Sequence, residues 1–214
     1  MLKGSMLESA FYRFLARYIV PCCVFLRLKA NHVSFFSLLC GLAAGIAFVF
    51  SPFWGGLLTL ITGLLDTLDG ALARELDEVK KRGAFLDSVL DRYAEFFILL
   101  GAWAYFLRKG HATLLITITV FLVVFGSVMG SYTKARAEAL LVSCFVGLFQ
   151  RAERVIAIGV AGMVNSLINF TARVNESALL GQDAVLIVAL IFLAVGTNLT
   201  AIWRLFHVLN KLRD

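Results

Sequence analysis

The sequence predicts an all-α membrane protein: six transmembrane helices preceded by an amphipathic N-terminal surface helix. Three observations carry this. Of the 214 residues, 60% are hydrophobic, and the mean hydropathy is +0.87, so a soluble fold would leave large apolar patches in water. The long apolar runs lack strand alternation and the chain holds only two prolines, which favours helices over a barrel. Lys and Arg concentrate in alternate connections, as the positive-inside rule requires.

The elements follow in order. Between Met6 and Lys29, the residues Phe11, Phe14, Leu15, Tyr18 and Ile19 share one helical face, with Arg13 and Arg17 near the other; such a segment lies on a membrane surface. A span needs ~20 mostly apolar residues. Six candidates meet this: Val33 to Phe50, Phe53 to Arg74, Gly83 to Leu107, Ala112 to Glu138, Arg151 to Phe170, and Ala184 to Leu205. No repeat or long linker divides the chain. Residues 1–214 are therefore expected to form a single domain, with a juxtamembrane helix over 6–29 and the six-helix bundle over 30–212.

Six spans place both termini on one side. That side, with its helix ends, holds seventeen Lys and Arg residues, against Arg108, Lys109 and Arg173 on the other. Both termini are expected to be cytoplasmic, in an integral protein of a prokaryotic cell membrane. The net charge of +6 is accounted for by these loops, so no nucleic-acid partner is expected. Cys22, Cys23, Cys40 and Cys144 have neither metal-ligand nor disulfide spacing and read as packing residues. No secretory signal is expected, because no short apolar stretch ends in a small-residue cleavage site.

Four acids interrupt this apolar chain: Asp66, Asp69, Asp87 and Asp91. All fall at the cytoplasmic ends of the second and third spans. Asp66 and Asp69 lie about 60° apart on a helix, and Gly83, Asp87 and Asp91 step by four along one stripe. Antiparallel packing brings the two pairs together, with Gly70, Ala73 and Gly83 permitting close approach. Crowded carboxylates at a membrane edge must take up protons or bind a divalent cation. An oxygen-only ligand set favours Mg²⁺, Mn²⁺ or Ca²⁺, and two such ions suit phosphoryl chemistry.

The stretch Asp66-x-x-Asp69-Gly70-x-x-Ala73-Arg74, eight residues, Gly83-x-x-x-Asp87-x-x-x-Asp91 resembles the signature of the CDP-alcohol phosphatidyltransferases, with all eight fixed residues present over 26 positions. The resemblance implies an enzyme that moves a phosphatidyl group from a CDP-linked lipid to an alcohol and releases CMP. It also implies that Asp66, Asp69, Asp87 and Asp91 hold two Mg²⁺ ions, with Mn²⁺ as a substitute, and that Asp91 is the general base. Gly70 would admit the nucleotide, and Arg74 would contact its phosphate beside Ala73. Asn31 would meet the nucleotide end, although Ala30 stands where the family often has proline. Lys80 would contact the CDP group where relatives often carry Ser or Thr. A homodimer is expected.

The acceptor is suggested by "SYTKARAEALLVSCFVGLFQRAERV", Ser131 to Val155. Lys134, Arg136, Arg151 and Arg154 gather at one membrane edge, and such a cluster suits a small phosphorylated alcohol. The wording is similar to the phosphatidylinositol-phosphate synthase branch of the family, whose acceptor is inositol 1-phosphate. That likeness implies acceptor-binding roles for Ser131, Lys134, Arg154 and Arg204. Glycerol 3-phosphate, as used by a phosphatidylglycerophosphate synthase, is the rival acceptor. Two readings of other classes remain: an intramembrane cation transporter and a non-catalytic scaffold. The acids cluster at one edge and no inverted repeat is visible, which argues against a transporter. Gly41 and Gly45 read as a helix-packing pair, and Glu95 as a tuning residue or the partner of a polar neighbour.

Overall fold

The computed structural model describes Arg13 and residues 15–77, 80–174 and 183–212, and every regular element among them is helical. A π-helical turn, Leu15–Ile19, leads into α1 (Val20–Phe25). The long helices are α2 (Ala30–Phe50), α3 (Pro52–Glu75), α4 (Lys81–Arg108), α5 (Leu114–Ala139), α6 (Arg151–Val174) and α7 (Ala184–Lys211). Each predicted span is one of these helices. Several run further than the apolar runs suggest, because their terminal turns carry charged residues such as Lys81, Arg82 and Lys211.

Five helices are long and apolar enough to cross a membrane: α2, α3, α5, α6 and α7. The sequence led us to expect six. The third expected span, α4, has 28 residues but carries Asp87, Asp91, Arg92 and Glu95 in its first half. Those charges make it the least apolar of the long helices except α6.

The expected surface helix over 6–29 lies partly outside the described residues, Phe11 and Phe14 included. Its described part is short, and the chain turns at Arg27, whose φ is +54°. Leu15, Val20 and Cys23 are buried, and Val20 and Cys23 pack with Leu68 and Leu72 of α3. Tyr18 is exposed and Ile19 half-buried in this π-helical turn.

α2 packs most extensively against α4 and α3, α3 against α6, and α5 against α7. Ser51 in extended conformation and Pro52 at the first position of α3 set the sharp α2–α3 turn. Arg108 closes the C-terminus of α2 by donating to Val49 O at 2.8 Å and Phe50 O at 3.2 Å. Small residues let α2 and α4 meet backbone to backbone. A Cβ at Gly45 would strike the Phe97 carbonyl oxygen, and one at Gly101 would strike that of Gly45. Gly41 and Gly45 thus serve packing within the chain, as their spacing suggested.

The far end of the bundle is tied by Asp183, which precedes α7 and is 1% exposed. Its Oδ1 accepts from Tyr105 Oη at 2.8 Å, Asn165 Nδ2 at 2.8 Å and Asn169 Nδ2 at 2.7 Å. One carboxylate therefore joins α4, α6 and α7, about 27 Å along α4 from Asp87. Nothing in the sequence singled it out.

Two predictions follow from this packing. Gly101→Val should cost about 3 kcal/mol, the upper end of overpacking, because backbone meets backbone there. Asp183→Ala strands buried donors at ~1–3 kcal/mol each and should also destabilise. Melting temperature in detergent reads both; an unchanged value in either variant contradicts the corresponding contact.

Candidate active site

Asp66 and Asp69 stand near the C-terminal end of α3, and Asp87 and Asp91 near the N-terminal end of α4. The short connection through Leu76 and Asp77, where φ is +51°, turns the chain back so that these ends adjoin. Asp66, Asp69 and Asp87 each present a carboxylate oxygen within 4.8 Å of the others. Carboxylates approach in this way only when a proton or a cation offsets their repulsion. Asp69 is further held by Ser34, whose hydroxyl donates to Oδ2 at 2.6 Å. Asp87 Oδ1 is buried with no hydrogen-bond partner. An all-oxygen group with one orphaned carboxylate oxygen fits a hard divalent cation.

Asp91 joins the group through a cation on another helix. Arg151, the first residue of α6, sets Nη1 against Asp66 Oδ1 and lies 2.5 Å from Asp91 Oδ2. Arg92 Nη1 is 3.9 Å from the same Asp91 oxygen. One turn beyond Asp91, the buried Glu95 receives Arg154 Nε at 2.7 Å and Nη2 at 3.1 Å. This two-pronged pair lets the interior hold both charges.

The connection from α5 to α6 places Arg151 and Arg154. Thr200 Oγ1 accepts the backbone N–H groups of Leu148 at 3.2 Å and Phe149 at 3.1 Å. Arg204 donates to Val146 O at 2.9 Å and to Gly130 O at 2.6 Å. Gly147 permits this approach with φ of +136°. Arg154 Nη1 donates to Phe149 O at 3.2 Å. α7 thereby anchors the loop that starts α6.

The other residues named from the sequence sort as follows. Asn31 adjoins the site: a Cβ at Gly83 would lie 3.3 Å from its Oδ1. Gly70 faces open space apart from Arg74 Nη1. Ala73 is half-buried, and Lys80 is exposed just before α4. Ser131 donates back to Ser127 O at 2.9 Å. Lys134 lies 3.7 Å from Glu138 and over the Phe145 ring. Sequence reasoning missed the site positions of Arg151, Arg92 and Ser34 and left Glu95 without a partner. The Arg151–Arg154 spacing puts both on neighbouring positions of one helix face, but which acids they meet depends on the loop.

The Glu95–Arg154 pair yields a double-mutant prediction. Glu95→Ala should cost about 3–5 kcal/mol by stranding Arg154. Glu95→Ala with Arg154→Met should recover most of it in thermal melts. Equal melting temperatures for the single and double variants would contradict the pairing.

The description of the CDP-alcohol phosphatidyltransferase family matches residues 27–210. The chain is 34% identical over 212 residues to a phosphatidylinositol phosphate synthase of Streptomyces avermitilis, covering 95% of this chain and 83% of the relative. It is 35% identical over 170 residues to an archaetidylinositol phosphate synthase of Methanothermobacter thermautotrophicus, covering 78% and 83%. Among solved structures, Mycobacterium tuberculosis phosphatidylinositol phosphate synthase with CDP-DAG bound superposes at TM-score 0.76 with 25% identity, over 92% of this chain and 94% of that one. The same enzyme in complex with manganese and citrate superposes at TM-score 0.75 and 25% identity, over 89% and 87%. With the aspartate array built by α3 and α4, the match across nearly the whole length makes this chain a member of the CDP-alcohol phosphatidyltransferase family.

Proposed function

We propose that this enzyme transfers the phosphatidyl group of a CDP-linked lipid, ester or ether, to inositol 1-phosphate and releases CMP. The observation that carries the reading is the convergence of Asp66, Asp69 and Asp87, with Asp91 joined to them through Arg151. The names of the relatives support the acceptor.

In this reading Asp66, Asp69, Asp87 and Asp91 hold two Mg²⁺ ions, or Mn²⁺ in their place. Bound divalent ions supply Lewis-acid neutralisation of pyrophosphate and leaving-group charge. Asp91 takes the proton from the acceptor hydroxyl as that oxygen bonds to the lipid phosphorus and the bond to CMP breaks. Gly70, with no side chain, leaves room for the nucleotide, which Asn31, Ala73, Arg74 and Lys80 border. Ser131, Lys134, Arg154 and Arg204 form the basic side that receives the acceptor phosphate.

The chain sits in the membrane as six spans, with α4 as the sixth. Asp91 and Glu95 in its charged half are buried, and its remaining length faces the core through Ile98, Leu99 and Phe106. The Lys and Arg asymmetry supports cytoplasmic termini and a cytoplasmic site. Residues 1–214 act as a single domain, and pairing of two chains belongs to the same reading.

Purified protein with CDP-diacylglycerol and Mg²⁺ should release CMP with inositol 1-phosphate and not with glycerol 3-phosphate, free inositol or serine. Asp91→Asn should lower turnover by about 100-fold or more while keeping CDP-lipid binding. Release with glycerol 3-phosphate alone would replace the acceptor assignment, and normal turnover by Asp91→Asn would remove Asp91 as the base.

A further inference from the structure

The connection between α5 and α6, residues 140–150, carries no charge. By contrast, the α3–α4 connection holds Asp77 and Lys80, and the α4–α5 connection holds Lys109 and His111. Its apolar side chains face outward. Leu141 is 96% exposed and Phe145 67%, and Leu140 and Leu148 are exposed as well. Leu141 has φ of +59°, a left-handed conformation that favours glycine. A large apolar side chain held there in water would gain nothing.

The connection also runs back along the bundle. α5 continues past Gly130 to Ala139, about 14 Å further. The chain then returns to the level of Gly130, because Arg204 donates to both Gly130 O and Val146 O. On α7 it descends from Lys211, which donates to Ser143 O at 3.1 Å, to Thr200, which takes the Leu148 and Phe149 N–H groups. That stretch of α7 is about 16 Å long. The Phe149 ring reaches further, to Phe192 with centroids 5.3 Å apart. α7 is long and apolar enough to cross a membrane, and it exposes Trp203, Phe206 and Leu209 along the same stretch. Irregular backbone at membrane depth persists only where protein groups satisfy it. Lys211, Arg204, Arg154 and Thr200 serve that purpose here.

We propose that residues 140–150 form a re-entrant connection embedded in the lipid leaflet at the end of the bundle that carries the aspartates. Leu141 lies at the headgroup boundary, and Phe145 and Leu148 lie among the acyl chains. The occupant of this face is the bilayer, because the face continues the exposed apolar surfaces of α5, at Val128 and Tyr132, and of α7. The same segment delivers Arg151 and Arg154, so the leaflet fixes the height of the site against the lipid headgroups. The inference rests on the helices spanning a membrane and not on the identity of the acceptor.

Wild-type protein in phosphatidylcholine–phosphatidylglycerol vesicles tests this, with a phospholipid carrying a mid-chain diazirine as the probe. Light attaches that lipid to whatever its acyl chains touch, and mass spectrometry locates the adducts. Residues 140–150 should be labelled within about threefold of the exposed α5 residues Phe121 and Phe125, and at least about tenfold above the Lys109–Thr113 connection. Leu141→Glu combined with Phe145→Glu should lower labelling of the segment about fivefold, with CDP-diacylglycerol binding in detergent as the control for folding. Labelling of α5 with none at 140–150 overturns the inference and leaves the spanning helices standing. Labelling of 140–150 that emerges only on dilution into excess lipid assigns the face to a second copy of the chain and also overturns it. An unlabelled α5 sinks the membrane reading itself, and the inference with it.

Discussion

Repulsion among four carboxylates at one end of a helix pair is the constraint on which the rest of this structure depends. Asp66, Asp69, Asp87 and Asp91 approach one another because α3 and α4 are joined by a short turn and held in a tightly packed bundle. Each acid then needs a counter-charge or a donor, and several parts of the protein supply one. Ser34 on α2 donates to Asp69, and Arg151 on α6 bridges Asp66 and Asp91. Two other helices thus supply partners to an array that would otherwise push itself apart.

Precision at the site comes from rigidity elsewhere. Glycines bring α2 and α4 to backbone contact, so Ser34 and the α4 aspartates keep a fixed separation. Thr200 and Arg204 on α7 hold the α5–α6 loop by its backbone, and that loop delivers Arg151. At the opposite end, Asp183 clamps α4, α6 and α7, which limits sliding of the helices that carry the site. Groups set on packed helices are better placed for positional chemistry than groups on loops.

Much of this was legible in the sequence. Apolar run length located every long helix, and the spacing of the aspartates placed them on matched faces, because both signals are local and periodic. The span count was less legible: α4 mixes charged residues with a packed face, and those charges keep it out of the helices that are apolar enough to cross a membrane. Contacts that depend on tertiary geometry were not readable. Arg151 was legible only as one of a basic cluster suited to a phosphorylated alcohol, and its contact with Asp66 depends on the anchored loop. Glu95 gained its meaning only from Arg154 on another helix. Asp183 resembled an ordinary helix-start residue, yet its side chain makes no cap and is used across three helices instead.

The claim that the carboxylate array exists to hold two divalent ions is tested most directly by counting bound Mn²⁺ with electron paramagnetic resonance. The account predicts two ions per chain with the spin coupling of close neighbours at ~4 Å. Both should be lost or reduced to one when Asp66 or Asp87 is changed to Asn. Uncoupled Mn²⁺, or binding that survives those substitutions unaltered, would contradict it.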